Sequence, residues 1–220
     1  MLYLVATPIG NLGDITLRAL EILKMVDFIL SEDTRKTGQL LRHFGINKKP
    51  ISFYAYNEIK KTPWVIEELK KNKSIALVSN AGTPTISDPG YYLLKKCLEE
   101  KVNFSVLPGP NAAIAALLLS GLPSDRFFFL GFLPRKKGKK SKVLKEAFLI
   151  KSTLIIFESP YRLLDTLTQI QEIFGDRKVV LTREMTKIHE EAIRGKITEV
   201  KATLEAKVPK GEFVIVFDNN

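Results

Sequence analysis

Residues 74–90 read SIALVSNAGTPTISDPG. The first part, 74–79, is apolar at four consecutive positions, as a strand must be when helices cover both faces of a parallel sheet. The remainder is rich in Gly, Pro and small polar residues, which favour tight turns. Ligands of open parallel sheets bind in the loops that follow the carboxyl ends of the strands. The stretch therefore predicts a buried parallel strand followed by a ligand-binding loop.

Apolar runs of the same kind recur between helical patterns along the chain. They predict strands at 2–6, 27–32, 51–54, 74–79, 103–107, 127–133, 153–158, 178–182 and 212–217. The sequence Gly121-Leu122-Pro123 interrupts the series and resembles a hinge. We therefore predict two α/β lobes with mainly parallel or mixed sheets, an N-terminal domain at 1–120 and a C-terminal domain at 124–220.

Short polar signals predict where the helices between these strands begin and end. Asp14 is expected to cap a helix at 15–26, and Thr62 with Pro63 to begin a helix that runs to Lys71. Gly121 and Gly175 are expected to end the helices that precede them.

The chain is basic, with 34 Lys and Arg against 24 Asp and Glu in 220 residues. The excess is concentrated in segment 135–151, RKKGKKSKVLKEAFLIK, where eight basic residues accompany the single acid Glu146. A lysine run of this kind is often a solvated loop. Here it predicts a mobile basic arm that contacts nucleic acid, because a phosphate backbone supplies the missing counter-charge. The predicted RNA contacts are Arg135, Lys136, Lys137, Lys139 and Lys140.

Several classes of protein are excluded by what the sequence lacks. One cysteine, Cys97, and two histidines, His43 and His189, allow neither an internal disulfide nor a structural zinc site. No stretch has the length of a membrane span or the pattern of a signal peptide, so we expect a cytoplasmic protein. The dinucleotide, Walker and serine-hydrolase motifs are also absent.

Four loops at strand ends carry the remaining functional signal. They read TPIGNLGD at 7–14, SNAGTPTISDPG at 79–90, LPGPNAA at 107–113 and ESPYR at 158–162. Any one of them alone is typical of a tight turn. Four together favour a ligand site, because glycine permits close approach of the main chain to a ligand and proline stiffens it.

These loops and the segments around them resemble the tetrapyrrole-methylase-like, or class III, methyltransferases. The matching segments span almost the whole chain in order, at 2–20, 31–41, 76–90, 107–123, 128–134, 157–167, 183–191 and 210–216. More narrowly, the chain resembles the branch of this family that methylates a cytidine ribose of bacterial 16S rRNA. Asn80 and Tyr161 depart from the pattern, since the family usually has aspartate and histidine there.

The resemblance implies S-adenosylmethionine as cofactor, held largely by main chain in a cleft between the lobes. Carried onto matching positions, it implies as cofactor-binding residues Pro8, Ile9, Gly82, Thr83, Pro84, Ile86, Ala112 and Ala113, with Leu133, Ser159, Met185 and Glu212 from the second lobe. It also implies transfer to the 2'-oxygen of a cytidine in the decoding centre of 16S rRNA, on rRNA or the small ribosomal subunit. A homodimer is implied by the resemblance alone.

Candidate catalytic residues follow from the need to orient or deprotonate a ribose hydroxyl. Asp33 is the predicted proton acceptor, Arg35 the phosphate contact and Glu32 a further candidate at the same strand end. Capping is the alternative role for Asp33, and for Asp88 we favour it over catalysis. Lys187, His189 and Glu190 form another polar cluster, and Phe53, Tyr54 and Tyr56 are candidates for stacking a base.

Two other functions remain open from the sequence. One is a methylase of a tetrapyrrole or another small molecule, against which the basic arm argues. The other is a non-catalytic rRNA-binding protein. No metal is expected, because neither zinc-like spacing nor an acidic cluster suited to magnesium is found.

Overall fold

The computed structural model describes residues 1–205 and 210–219 and divides into two compact units, 1–111 and 112–220. The division predicted at 121–123 differs from this one by a single helix, 112–120. That helix belongs to the second unit because it packs against strands of the second sheet.

The first unit alternates strands and helices. Its elements are β1 (Leu2–Val5), α1 (Leu17–Met25), β2 (Phe28–Ser31), α2 (Thr34–His43), β3 (Ile51–Ser52), α3 (Glu58–Lys70), β4 (Ile75–Val78), α4 (Tyr91–Glu99) and β5 (Phe104–Leu107). The five strands are all parallel, in the order β3-β2-β4-β1-β5. All five carboxyl ends therefore lie at one edge of the sheet.

The central strands of this sheet are covered on both faces. Leu4 of β1 belongs to a buried cluster with Val65 of α3 and Leu93 of α4. The next residue, Val5, belongs to a second cluster with Leu23 of α1 and other residues on the opposite face. Because successive side chains of a strand point to opposite faces, both must be apolar, which explains the continuous apolar runs in the sequence.

The second unit has a mixed sheet. Its elements are α5 (Ala112–Ser120), β6 (Phe127–Phe132), α6 (Lys137–Phe148), β7 (Thr153–Glu158), α7 (Leu163–Phe174), β8 (Lys178–Arg183), β9 (Glu191–Lys196), α8 (Ile197–Glu205) and β10 (Phe213–Asp218). The order is β6-β7-β10-β8-β9, with β6 and β7 parallel and the other pairs antiparallel. The predicted fold class, two α/β lobes with parallel and mixed sheets, is confirmed.

All nine predicted strands are present, and β9 is an additional strand that the sequence pattern does not predict. Three predicted helix starts are wrong. Helix α1 is capped by Thr16, whose hydroxyl accepts from the Ala19 N–H at 3.1 Å, while Asp14 lies in a preceding 3₁₀ turn. Helix α3 begins at Glu58, so Pro63 lies inside it.

The third wrong start is that of α4, where a distant side chain replaces the predicted Asp88. The Oε1 atom of Glu58 accepts hydrogen bonds from the backbone N–H groups of Gly90, Tyr92 and Leu93 at 3.1, 2.9 and 3.2 Å. A negative charge at this position also complements the positive end of the helix dipole. Asp88 is thereby released from the capping role.

Candidate active site

The loops after β1 and β4 are joined by a pair of backbone hydrogen bonds. The Thr7 N–H donates to the Gly82 carbonyl and the Gly82 N–H donates to the Thr7 carbonyl, both at 2.9 Å. The Thr7 hydroxyl also donates to the Ser79 carbonyl at 3.3 Å. Because β1 and β4 are neighbours in the sheet, this bridge fixes two of the predicted ligand loops side by side.

A threonine hydroxyl joins the third loop to this pair. Thr83 Oγ1 donates to the Pro110 carbonyl at 3.2 Å and accepts from Nδ2 of Asn111 at 3.2 Å. A fourth segment is attached on the other side, where the Asp33 N–H donates to Oδ1 of Asn80 at 3.1 Å. The ends of β1, β2, β4 and β5 are thus connected at one edge of the sheet.

Gly82 lies where the loops after β1, β4 and β5 meet. Its φ of +78° lies in the left-handed region, and a Cβ there would stand 3.4 Å from Ile9 Cγ2 and 3.7 Å from the Pro110 carbonyl oxygen. Any side chain at this position would fill the space between the loops and strain the bridge to Thr7. Main-chain groups beside Ile9 and Pro110 suit an organic ligand that is held mostly by main chain.

The loop after β4 holds two further residues in the left-handed region, Thr85 at φ +73° and Ser87 at φ +65°. A β-branched residue such as threonine rarely adopts this conformation, which costs about 1–3 kcal/mol. Strain of this kind is concentrated at functional sites. Ile86, which lies between the two, is 39% exposed.

Asp33 acts as the N-cap of α2 and as the partner of Arg35. Its Oδ1 accepts from the Arg35 N–H at 2.9 Å and from Nε at 3.2 Å, and its Oδ2 accepts from Nη2 at 3.0 Å. These bonds favour the ionised carboxylate and hold the pKa of Asp33 at about 2, so it is a weak base. The Arg35 side chain remains 88% exposed.

Asp88 is in the opposite situation. Burial and the neighbouring negative charge of Glu32 raise the pKa of Asp88 to about 6, against a smaller opposing effect of the Ser79 hydroxyl. Asp88 and Glu32 both belong to loops at the edge of the sheet where the strands have their carboxyl ends. Glu32, Asp33, Arg35, Tyr54 and Asn80 line a shallow cavity of about 410 Å³ there, together with Thr34 and Ser52.

The predicted cofactor residues of the first unit lie on these connected loops. Pro8 and Ile9 are half-buried, Gly82 and Pro84 are buried, Thr83 is half-buried and Ile86 is exposed. The structure therefore brings Pro8, Ile9, Gly82, Thr83, Pro84 and Ile86 together. It also brings Glu32, Asp33 and Arg35 to the same edge.

The predicted cofactor residues of the second unit lie at the ends of its strands and at the start of α5. They are Leu133 after β6, Ser159 after β7, Met185 after β8, Glu212 before β10, and Ala112 and Ala113. Leu133 is buried and offers its carbonyl, which accepts from Nη2 of Arg162 at 2.6 Å. Ser159 is half-buried, and its N–H donates to Oε1 of the buried Glu158 at 2.8 Å. Ala113 of α5 is buried, and Ala112 is half-buried.

Met185 is held between two left-handed residues, Glu184 at φ +47° and Thr186 at φ +66°. Glu184 Oε1 accepts from the Glu212 N–H at 2.9 Å, and the Lys187 ammonium binds both carboxylates at 3.1 and 3.0 Å. Lys187 therefore fixes the loop that carries Met185, while Glu212 keeps an exposed side chain. His189, two residues after Lys187, is exposed.

The basic segment forms a helix, not the predicted mobile arm. Residues 137–148 are α6, and Arg135, Lys136, Lys137 and Lys139 are exposed. Lys140 is a correction to the predicted RNA contacts, because it is only 1% exposed. Its ammonium donates to Asp165 Oδ2 at 2.8 Å and to Thr166 Oγ1 at 2.7 Å, so it stabilises the second unit.

Two further observations concern the described residues. Within 1–205 and 210–219, no group of three His, Cys, Asp or Glu side chains is placed to hold a metal ion. In the same part of the chain, no helix combines the length and apolar character that crossing a membrane requires.

Of the predicted stacking aromatics, Phe53 is buried in the core, while Tyr54 and Tyr56 are 39% and 96% exposed.

The fold and this loop edge define a two-unit α/β protein that binds an organic ligand. Residues 1–201 match the family model of tetrapyrrole (corrin/porphyrin) methylases. The chain is 47% identical over 215 residues to "Ribosomal RNA small subunit methyltransferase I" of Thermotoga maritima, covering 98% of this chain and 96% of that one. A protein of the same name from Halalkalibacterium halodurans is 46% identical over 219 residues, covering 100% and 76%.

Solved structures agree on the fold. A diphthine synthase superposes with a TM-score of 0.76 at 16% identity, covering 99% of this chain and 89% of the other. A uroporphyrin-III-C-methyltransferase from Thermus thermophilus gives 0.66 at 19% identity, covering 99% and 94%. The chain belongs to the tetrapyrrole methylase family, and its methyl donor is S-adenosylmethionine.

Thr83 provides a test of the connected loops that avoids the strained backbone of Gly82. Thr83→Val keeps the shape of the side chain but removes its hydrogen bonds to Pro110 and Asn111. We expect the Kd for S-adenosylmethionine, measured by calorimetric titration, to rise about 5- to 100-fold, since each such bond contributes about 0.5–1.5 kcal/mol. Thr168→Val removes a comparable hydroxyl bond, to Leu164 in α7, and should leave the Kd unchanged. Equal affinities in both variants would contradict the role of Thr83.

Proposed function

We propose that the chain transfers the methyl group of S-adenosylmethionine to the ribose 2'-oxygen of a cytidine in the decoding centre of 16S rRNA. The observation that carries this proposal is the identity of 46% or more, over at least 98% of the chain, with relatives named for methylation of small-subunit rRNA. The four exposed basic residues at 135–139 support an RNA substrate, because a small tetrapyrrole acid has no need of them.

We place the cofactor site on the residues that the family resemblance implies, and the connected loops of the first unit support this placement. In the first unit we assign it to Pro8, Ile9, Gly82, Thr83, Pro84 and Ile86. In the second unit we assign it to Ala112, Ala113, Leu133, Ser159, Met185 and Glu212. When bound, S-adenosylmethionine supplies a methyl group on a sulfonium, which is already electrophilic. The protein's contribution is to hold the loops rigid and position the acceptor oxygen, for which the Thr7–Gly82 bridge and Thr83 provide the framework.

We assign proton acceptance at the 2'-oxygen to Asp88. It lies on the same loop as Gly82, is not needed as a helix cap, and faces a second carboxylate, Glu32. A carboxylate bound to a guanidinium, as in Asp33, gives up much of its basicity, whereas one beside another negative charge gains it. Arg35 then remains free along most of its surface to contact a neighbouring phosphate.

The pH dependence of turnover tests this assignment. The base must be ionised, so kcat for methyl transfer should rise with pH through the pKa of Asp88, about 6 in the free protein. Glu32→Gln removes the negative charge that raises this pKa, so the rise in kcat should move to lower pH. Asp88→Asn should lower kcat about 10²- to 10⁴-fold without changing the cofactor Kd.

Asp33→Asn is the matched control. Asparagine is as good an N-cap as aspartate, so α2 should remain intact and kcat close to the wild-type value. If kcat falls strongly in this variant while Asp88→Asn stays active, Asp33 and not Asp88 accepts the proton.

The basic segment allows a contrast between adjacent lysines. Replacing Lys136, Lys137 and Lys139 with Ser should weaken RNA binding and lower its log–log salt slope by about 0.7–0.9 for each phosphate interaction that the substitutions remove. Lys140→Met should instead lower the free energy of unfolding by about 1–3 kcal/mol, because the hydrogen bonds of the buried ammonium to Thr166 and to the partly exposed Asp165 are lost. Filter binding at several salt concentrations and urea unfolding measure the two effects. An unchanged RNA salt slope in the triple variant would leave α6 as a solvated helix.

We further propose that the protein acts in the cytoplasm as a homodimer. An exposed aromatic edge supports self-association: Phe127, Phe128 and Phe132 of the edge strand β6 are 42%, 42% and 58% exposed. Large apolar side chains on a sheet edge favour pairing with another chain.

The experiment that tests the function is transfer of a labelled methyl group to small ribosomal subunits lacking this modification. We expect the label on a cytidine ribose of 16S rRNA, located by nuclease digestion and mass spectrometry. Label on a base nitrogen would refute the ribose assignment. Transfer to a tetrapyrrole and not to subunits would favour the small-molecule methylase, and cofactor binding without any transfer would favour a non-catalytic RNA-binding protein.

A further inference from the structure

A second cavity, of about 570 Å³, lies along one face of α2 and along the loop that leads to β3. Its lining consists of Thr34, Gly38, Arg42, Gly45, Ile46, Asn47, Lys48, Lys49 and Pro50. Three of these residues are basic and none is acidic. A concave basic surface of this kind attracts anions, because opposite charge concentrates in a groove more strongly than on a convex surface.

One of the three cations is structural. The Lys48 ammonium donates to the carbonyls of Lys24, at 2.6 Å, and Val26, which are orphan acceptors at the end of α1. Burial lowers the pKa of Lys48, while the nearby Asp27 opposes this shift. The carboxylate of Asp27 already accepts hydrogen bonds from the Lys73 ammonium and from the Ser74 N–H. Arg42 and Lys49 are exposed, so they are the cations available to a ligand.

Gly38 indicates that the floor of the cavity is kept open. Glycine in the middle of a helix destabilises it relative to alanine. A Cβ on Gly38 would meet nothing closer than Arg42 Nη1, at 3.6 Å, which is an ordinary contact. The fold therefore does not require glycine here. The open space along Thr34, Gly38 and Arg42, which lie one turn apart on α2, is explained by an occupant that approaches the helix closely.

This cavity shares a lining residue with the candidate active site. Thr34 lines both the cavity at Arg42 and the one that contains Glu32, Asp33, Arg35 and Asn80. Helix α2 has ten residues and is therefore about 15 Å long. A polyanion whose reacting residue sits at the carboxyl end of β2 can continue along this helix.

We propose that the face of α2 formed by Thr34, Gly38 and Arg42, with Lys49, is a phosphate-binding groove for the RNA strand adjoining the methylated nucleotide. This inference rests on the proposed function, since it takes the substrate to be RNA. It adds a binding surface in the first unit to the basic helix of the second. Arg42 and Lys49 bind backbone phosphates, so they contribute affinity and not sequence preference.

The double variant Arg42→Ala/Lys49→Ala tests the groove, with Lys70→Ala/Lys95→Ala as a control of equal charge on α3 and α4. The control lysines form only exposed ion pairs, with Glu100 and Glu99. The probe is undermethylated small subunits, with methyl transfer and salt-dependent binding measured in parallel. For the groove variant we expect the KM for subunits to rise about tenfold or more and the log–log salt slope to fall by about 1.4–1.8, with kcat and cofactor Kd unchanged.

A second pair of variants tests the open floor. Gly38→Gln adds an uncharged side chain to the groove and should weaken RNA binding while the thermal unfolding midpoint is maintained. Gly38→Ala should raise that midpoint. Weaker binding in Gly38→Gln supports the groove, and unchanged binding overturns it.

The outcomes separate this inference from the function on which it rests. If Arg42→Ala/Lys49→Ala behaves like the lysine control, the groove is overturned even though the wild-type protein methylates rRNA. If the wild-type protein transfers no methyl group to subunits yet binds them through Arg42 and Lys49, the proposed reaction fails and the groove stands.

Discussion

The pair of backbone hydrogen bonds between Thr7 and Gly82 is the constraint on which the arrangement of the first unit's loops depends. Parallel strands leave their ends unpaired, so neighbouring loops have no reason to stay together beyond the sheet. The bridge adds one antiparallel pairing past the ends of β1 and β4. It requires a left-handed residue at position 82, and glycine adopts that conformation without strain. Thr83 and Asn80 then attach the loops on either side.

Much of the fold could be predicted because its central strands are buried on both faces. Such strands must be apolar throughout, and their runs are visible without knowledge of the partners. The sequence does not predict β9, which reads EAIRGK, because this strand lies at the edge of the sheet and is partly exposed. Three of its six side chains are charged and one residue is glycine, so it has no apolar run. It is a strand through its pairing with β8, which no local pattern shows. The cap of α4 escapes prediction for a related reason, since Glu58 lies more than thirty residues before the helix it caps.

The burial of Lys140 could be predicted from the sequence. Lys140, Leu144 and Ala147 stand at positions i, i+4 and i+7 of one helix, and all three are buried. An interpretation of 135–151 as a mobile arm ignores the helical phase and treats all its cations alike. The helical period separates them: Lys137 and Lys139 fall on exposed positions, while Lys140 falls on the core stripe and needs Asp165 and Thr166 as partners.

The acidic residues show what a sequence cannot supply. Asp33 and Asp88 both follow strands in polar loops. Arg35 stands two residues after Asp33 and is visible in the sequence, whereas the burial of Asp88 and its approach to Glu32 have no local signal. The pKa of Asp33 is about 2 and that of Asp88 about 6, because Asp33 faces a guanidinium and Asp88 faces Glu32 in a more buried place.

Asn80 affects the amount of negative charge at this edge of the sheet. Its amide oxygen accepts the Asp33 N–H as a carboxylate would, so the connection between loops survives the departure from the family's aspartate. A carboxylate at position 80 would add a further negative charge at this edge, which already carries Glu32, Asp33 and Asp88. The amide therefore preserves the geometry while limiting the repulsion that holds a proton on Asp88.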